Sequence, residues 1–170
     1  GTVRSGAAPV ARGQALPEGA DLVTGDDGQV SVRLVDGTLL QLRRASRARL
    51  EESRQIPGAA HTRSSVRLEQ GQVEVQAQPA RRGEPGFRIG TPQGVLGVRG
   101  TVFRVAVDAG RTRGEVLEGV VGVSAAAPGA SAAGNEQRVD AGFVTVFDAG
   151  GRRAPPSRLL AGPAQPALPA

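Results

Sequence analysis

A short unit, Gly-x-Val-x-Val, recurs along the chain and limits the folds that the chain can adopt. In each copy the two valines are separated by one residue, so they lie on the same face of a β-strand. The copies are irregularly spaced, which argues against a repeat protein of fixed period. The pattern predicts short strands that follow glycine turns and whose valines pack together. The copies begin at Gly28, Gly71, Gly119 and Gly142.

Turn signals between alternating segments predict how these strands pair. Asp36-Gly37 is a strong hairpin signal, and Asp108 to Gly110 is another turn. The arginine-rich segment 47–51 is ambiguous, and we favour a strand over two turns of helix because its apolar stripe is thin. A single strand is expected at 120–124. The predicted pairs are 29–35 with 38–42, 65–69 with 72–77, 101–107 with 112–117, and 137–139 with 143–147.

The composition excludes several classes of site. The chain has no Cys, so it has neither a disulfide framework nor a thiolate metal site. His61 is its only histidine and cannot complete a metal set alone. We therefore expect no enzyme activity, no catalytic residue, no metal and no cofactor. No run approaches the roughly 18 apolar residues of a membrane span, so we expect no membrane insertion by this segment.

The charge distribution would suit an anionic partner. The net charge is +5 and every basic residue is arginine. Seven arginines lie in the stretch 43–67, and alternation places several of them on one face of a strand. The alternative is a solvated sheet face without a ligand. The candidates for partner or anion binding are Arg43, Arg44, Arg47, Arg49 and Arg67.

Nucleic acid is a poor match for this positive charge. The chain has only four Phe and no Tyr or Trp, whereas RNA-binding modules often stack bases on aromatic side chains. The sequence from Gly97 to Gly100 matches a GXXG loop, but that loop joins two helices and none is predicted here. The same glycines lack the lysine of a phosphate-binding loop. We therefore expect no nucleic-acid partner.

Composition also divides the chain into three parts. Residues 1–18 form an N-terminal approach segment, and residues 19–148 form the all-β domain. Residues 149–170 contain five prolines and no acidic residue from 150 onward, which is typical of a disordered tail or a linker.

The segment 87–107 resembles the centre of the FecR domain family. That family is marked by an extended strand ending in Thr-Pro, a Leu-Gly-Val-Arg-Gly-Thr-x-Phe-x-Val centre, and a following Val-x-Glu-Gly-x-Val. All three are present here in that order, and the similarity extends over roughly 19–146. The residues that carry this core motif are Leu96, Gly97, Val98, Arg99, Gly100, Thr101, Phe103, Glu118 and Gly119.

The resemblance implies an all-β domain, either a twisted solenoid or a two-sheet stack of short antiparallel strands, on the periplasmic side of a bacterial envelope. In the best-known members this domain relays the occupancy of an outer-membrane receptor to a sigma factor. The expected partner is therefore an envelope protein, either a receptor or a regulator. Other members are joined to peptidoglycan-binding modules, so peptidoglycan or an anionic wall polymer is the alternative. Arg99 lies in an apolar stretch, so we expect it to be buried and paired, with Glu118 as its partner.

Overall fold

The strands of the protein cover most of its length. The structure is a computed structural model that describes residues 1–58, 62–80, 86–98, 100–125 and 136–160. Within these ranges the chain forms fifteen strands and no helix, which confirms the all-β prediction. The strands are β1 (Val3–Ser5), β2 (Ala8–Pro9), β3 (Asp21–Thr24), β4 (Val30–Arg33), β5 (Leu39–Leu42), β6 (Arg47–Gln55), β7 (Thr62–Gln76), β8 (Phe87–Gly90), β9 (Gly94–Val98), β10 (Val102–Asp108), β11 (Arg111–Glu118), β12 (Val120–Ala125), β13 (Gln137–Asp140), β14 (Phe143–Phe147) and β15 (Ser157–Arg158).

The strands form two sheets that are joined through the long strand β7. Sheet A has the order β2-β1-β3-β6-β7-β8-β9-β12-β13. Sheet B has the order β4-β5-β7-β10-β11-β14-β15. Neighbouring strands are antiparallel, with β7 and β8 as the one parallel pair in the described residues.

The hydrophobic core lies between the two sheets. Phe87 of sheet A and Phe103 of sheet B meet across it, with ring centroids 6.5 Å apart. Burying a Val, Leu or Phe side chain contributes roughly 1.5–3 kcal/mol, so this layer is the main source of stability. The valines of the first three Gly-x-Val-x-Val units belong to the core or pack against it, as predicted. The largest fully buried side chains are Phe103, Phe147, Leu68, Ile89, Leu96, Val73, Val75, Val105, Val116, Val121, Val123 and Val139.

Within the described residues, the chain passes from one sheet to the other at two corners. The first corner is made by Thr24, Ser46 and Gln72: the amide of Ser46 donates to Thr24 Oγ1, and the amide of Gln72 donates to Ser46 Oγ, both at 2.9 Å. The second corner brings Ala77, 100–101, 118–119 and 141–142 together. Hydrogen bonds along both corners therefore replace ladder bonds where the strands change sheet.

Gly71 allows β7 to take part in both sheets. Residues of β7 before Gly71 pair with β6, and those from Gly71 onward pair with β10. Gly71 has a φ of +89°, and an added Cβ would lie 2.5 Å from the Cα of Ser46. The predicted hairpin between 65–69 and 72–77 is therefore wrong. Here the glycine redirects a continuous strand, because its two halves have different partners.

Two further strand predictions need correction. The segments 137–139 and 143–147 do not pair with each other, since β13 pairs with β12 in sheet A and β14 pairs with β11 in sheet B. The fourth Gly-x-Val-x-Val unit, which begins at Gly142, also differs from the prediction, because its valines are not part of the core cluster. Phe143 and Phe147 contribute to the core in β14, whereas Val144 lies opposite Ser157 of β15 and outside the core cluster.

The other local predictions agree with the structure. The hairpin around Asp36-Gly37 is formed by β4 and β5, and the hairpin at 108–110 is formed by β10 and β11. The segment 47–51 is a strand, the first part of β6. These predictions succeeded because each depends on a turn or alternation within one short segment.

The two ends of the described chain also contribute strands. β1 pairs with β3, so part of 1–18 extends sheet A. β15 pairs with β14, and the amide of Leu159 donates to the carbonyl of Gly142 at 2.8 Å, so part of 149–160 extends sheet B. Among the described residues, no helix has the length and apolar character needed to cross a membrane.

Candidate functional site

The segment that carries the family resemblance lies at the centre of both sheets. β8 and β9 belong to sheet A, and β10 belongs to sheet B. Leu96, Val98 and Phe103 are buried in the core between them. These side chains are inaccessible to a partner, and they pack in the core between the two sheets.

The rest of the core motif builds the second corner. Thr101 is buried, and its hydroxyl donates to the carbonyl of Val120 at 3.0 Å. The amide of Ala77 donates to the carbonyl of Thr101 at 2.9 Å. Gly119 has a φ of +79°, and a Cβ there would lie 2.8 Å from the carbonyl oxygen of Gly100. The chain thus crosses between the sheets at Gly100-Thr101 and again at Glu118-Gly119, and these two crossings contact each other.

Two residues singled out from the sequence lie outside the described residues. They are Arg99 and His61. Glu118, the expected partner of Arg99, is exposed and forms no ion pair within the described part of the chain. The pairing of Arg99 with Glu118 therefore stays a prediction.

A buried polar cluster accompanies the Thr-Pro turn between β8 and β9. Thr112 Oγ1 lies 2.7 Å from Gln93 Oε1 and 2.9 Å from Thr91 Oγ1. The hydroxyl of Thr91 also accepts a hydrogen bond from the amide of Gly94 at 3.1 Å. These groups satisfy one another, which explains how three polar side chains are accommodated in the core.

Several arginines share the outer face of sheet A, and we call this set the arginine face. Arg47 and Arg49 project from β6, and Arg67 projects from the neighbouring strand β7. All members are exposed, and they alternate with buried core residues along their strands. The arginine face consists of Arg47, Arg49, Arg63, Arg67 and Arg88.

Strand register places like charges next to each other on this face. Arg49 lies directly opposite Arg67 in the pairing of β6 with β7. Asp21 lies on the other side of Arg49 and contacts it at 3.4 Å, with both side chains about half exposed. Such an exposed pair contributes little, and like charges directly opposite each other are destabilising.

The remaining four arginines of the arginine face have no ion pair with a described carboxylate. Glu51 and Glu69 are exposed on the strands of the same face, but neither pairs with them. Part of the face forms a groove of about 360 Å³, which Arg63, Arg67 and Arg88 line together with Glu51 and Glu52. The arginine face therefore offers guanidinium groups that are not neutralised within the described chain.

The outer face of sheet B differs, because several of its charges, around Glu74 and Arg113, are paired. Glu74 lies 3.3 Å from Arg43 and 3.0 Å from Arg104, and its side chain is only 15% exposed. Arg113 contacts Glu115 at 2.8 Å. Arg43 is therefore separated from Arg47, Arg49 and Arg67 by the first corner. Arg44, the fifth candidate, is exposed in the turn at that corner.

No group of three or more His, Cys, Asp or Glu side chains that could hold a metal ion occurs in the described residues. The described residues thus present an exposed basic surface, the arginine face, on one of the two sheets whose core contains residues of the core motif.

The sequence of residues 20–122 matches the profile of a family described as "FecR protein". The chain belongs to the FecR family. The match ends within β12, so it includes the motif segment, both corners up to Gly119 and all five arginines of the arginine face. No curated protein sequence matches the chain significantly.

Solved structures share the fold of this chain. Two crystal structures of a candidate anti-sigma factor from Parabacteroides distasonis ATCC 8503, at 2.50 and 1.65 Å resolution, superpose with a TM-score of 0.63. The identity is 17%, and the similarity covers 81% of this chain. At that identity the comparison concerns the fold alone. The matched region spans 59% of the length of the Parabacteroides chain.

Two members of the arginine face of this FecR-family chain, Arg63 and Arg88, were not among the candidate residues predicted from the sequence. Arg88 lies on β8, directly opposite Ser65 in the parallel pair with β7. The alternation Phe-Arg-Ile in β8 indicates that Arg88 faces outward, but only the pairing with β7 brings it beside Arg67.

Proposed function

We propose that this FecR-family chain is a non-catalytic binding module of the bacterial envelope, located in the periplasm. It acts in a signalling pathway of the anti-sigma regulator type, through contact with an envelope protein. The observation that supports this proposal most is the arginine face, whose five arginines are exposed and of which only Arg49 pairs with a described carboxylate.

The physical basis of the contact is electrostatic complementarity. Unpaired guanidinium groups on one face accelerate encounter with an acidic surface and bind carboxylates through bidentate hydrogen bonds. A carboxylate placed between Arg49 and Arg67 would also relieve the repulsion between these directly opposed charges. The scaffold favours such a contact because β6 and β7 carry core residues on their inner side, which fixes the spacing of the arginines.

The family and the fold support a regulatory role. The chain belongs to the FecR family, and its fold resembles that of a candidate anti-sigma factor. The proposal places the partner of this chain among the outer-membrane receptors or membrane-bound regulators of the envelope. In that setting the domain relays the state of one protein to another and needs no catalytic group.

A wall polymer is the second candidate partner. The arginine face is also complementary to an anionic polymer, and its groove of about 360 Å³ is lined by polar and charged groups such as Ser65 and Glu52. In this case the chain would be a peptidoglycan-associated module with no relay function.

The experiment compares two variants with the same change in net charge. Arg47, Arg49 and Arg67 are replaced by Ser in the first variant; in the matched control, Arg111, Arg113 and Arg158 of sheet B are replaced by Ser. Each tagged protein is used in pull-downs from solubilised bacterial envelopes, and in sedimentation with purified peptidoglycan.

The proposal predicts that the unmodified chain captures a receptor or an anti-sigma regulator, identified by mass spectrometry. The face variant should lose this capture and the control should keep it, and capture should weaken as salt rises because exposed charges are screened. Sedimentation with the wall and no protein capture would favour the wall-polymer function. Equal capture by both variants at every ionic strength would exclude the arginine face as the contact.

A further inference from the structure

Among the described residues, no strand pairs with the outer side of β4 at the edge of sheet B. β4 pairs there with β5 alone, whereas the opposite edge of the sheet is extended by β15. Val30 and Val32 of β4 are only partly buried, although both pack against the core. Just past the strand, Val35 is 51% exposed. An open edge with incompletely buried valines is a site where another strand can add.

The hydrogen-bond pattern shows which main-chain groups of β4 are available. In an antiparallel pair, alternate residues direct both main-chain groups toward the partner strand. The amide of Leu34 donates to the carbonyl of Thr38 at 2.9 Å, so Val32 and Val30 also direct their groups toward β5. Ser31 and Arg33 therefore direct their N–H and C=O groups away from the sheet. These groups have no partner within the described residues.

A groove of about 710 Å³ runs beside this open edge. β4 forms one wall, and the N-terminal segment 10–18 forms the other. Val10 and Leu16 lie across the groove from β4, and both are partly buried hydrophobic residues that pack against the core. Leu50 of sheet A also lines the groove, so the groove reaches the layer between the two sheets. On this side the irregular segment 10–18 therefore lies against the core.

One end of the groove is closed by a chain of hydrogen bonds. The amide of Val35 donates to Ser53 Oγ at 3.1 Å, and the amide of Ser53 donates to Glu18 Oε1 at 2.9 Å. These contacts occupy the amide of Val35, which is the next outward-facing amide beyond Arg33, and they engage Glu18, a carboxylate that lines the groove. The free part of the edge therefore comprises β4 itself, which at about 3.3 Å per residue is a template some 13 Å long.

The charges at the groove are positive. Arg12 and Arg33 line it, both are exposed, and neither pairs with a described carboxylate. Arg33 projects from the outer face of sheet B, opposite Leu39 of β5, which cannot neutralise it. An added strand would place its own side chain beside Arg33 on that face, and an acidic residue there would be complementary.

We propose that the free edge of β4 binds an extended segment of a protein partner by strand addition. The segment alternates apolar residues, which enter the groove beside Val30 and Val32, with acidic residues, which face Arg33. Its main chain exchanges hydrogen bonds with Ser31 and Arg33. The inference rests on the proposed function in that the partner is a protein, but it concerns a surface distinct from the arginine face.

The test uses a defined peptide on the intact chain. The probe is the acetylated and amidated heptapeptide Thr-Val-Glu-Val-Glu-Val-Thr, with a second version N-methylated at its central residues. Amide hydrogen exchange is followed residue by residue, and affinity is measured by titration calorimetry. We expect the peptide to slow exchange at Ser31 and Arg33 by at least about tenfold, because their amides gain acceptors. The N-methylated peptide should not, since it lacks the necessary donors.

A pair of substitutions at one position provides the control within the protein. Ser31→Pro removes an outward amide, which an edge strand tolerates, and should weaken peptide binding at least about tenfold. Ser31→Thr keeps the amide and should bind as the unmodified chain does. Thermal unfolding of both variants establishes that they are folded. Absence of binding at millimolar peptide, or equal binding by Ser31→Pro, would overturn the proposal.

Two further outcomes separate this site from the others considered. Replacing Arg47, Arg49 and Arg67 by Ser should leave peptide binding unchanged. If this variant loses envelope capture but still binds the peptide, the result concerns the arginine face and leaves the proposal for β4 intact. Sedimentation of the chain without peptide tests a second copy as the occupant. A dimer that Ser31→Pro converts to a monomer would show that β4 pairs with another β4 and would overturn the proposed partner.

Discussion

Replacing Gly71 by Ala tests whether the first corner is as closely packed as the structure indicates. A residue with a side chain at φ +89° is strained by about 1–2 kcal/mol, which the lower entropy of the unfolded chain offsets by about 0.4–1. The new Cβ would also lie 2.5 Å from the Cα of Ser46, so the backbone there must move. Such overpacking costs about 1–3 kcal/mol, and loss of the hydrogen bond from Gln72 to Ser46 costs about 1 more.

These contributions predict that Gly71→Ala lowers the free energy of unfolding by about 2–6 kcal/mol. The matched control is Gly142→Ala. Gly142 has a φ of +84°, but nothing lies within 4 Å of an added Cβ. Only the conformational strain applies there, so the expected loss is about 1 kcal/mol. The difference between the two variants isolates the contact with Ser46.

The assay is urea denaturation followed by far-ultraviolet circular dichroism, because the chain has no Trp or Tyr for intrinsic fluorescence. An unchanged dependence of the unfolding free energy on urea concentration would show that the two variants unfold from equally compact states. Equal losses of stability in Gly71→Ala and Gly142→Ala would refute the reasoning, since the close approach to Ser46 would then cost nothing.

Three other substitutions test the core, the buried polar cluster and the paired face. Phe103→Ala should lower the unfolding free energy by about 3–5 kcal/mol in the same urea assay, because its ring is fully buried; a loss below about 1 kcal/mol would contradict this. Thr112→Val should cost about 1–3 kcal/mol, since Gln93 Oε1 would be left buried without its donor, and an unchanged melting temperature would argue against the cluster. Glu74→Gln should cost about 1 kcal/mol at low salt and less at high salt, because Arg43 and Arg104 are both partly exposed; a loss that does not depend on salt would exclude an ionic origin.

Local signals in the sequence predicted the hairpins but not the sheet crossings. Asp36-Gly37 forms the expected turn, in which Asp36 Oδ1 accepts a hydrogen bond from the amide of Thr38 at 2.9 Å. The glycine at position 71 follows a similar polar residue, yet it redirects a strand without reversing it. The difference depends on Ser46, which is distant in sequence and lies against Gly71. Pattern reasoning within a short window has no access to that contact.

The candidate site shows the same limit. Alternation along β6 and β7 predicted that Arg47, Arg49 and Arg67 point to one side, and the structure places them together. Arg43 is only four residues before Arg47, but the first corner between them directs Arg43 to Glu74 on the other sheet. Arg88 joins the face through the parallel pairing of β8 with β7, which no local pattern indicates.

The sharing of β7 between the sheets has a consequence for how the domain opens. Its first half is held by β6 and β8, and its second half by β5 and β10, so neither sheet can separate without disrupting this strand. Sheets A and B should then unfold as one cooperative unit, and the slowest amides of both should exchange at the same free energy. A ligand bound to the outer surface of either sheet would raise this shared free energy of opening. It would therefore also protect amides in the sheet that it does not touch.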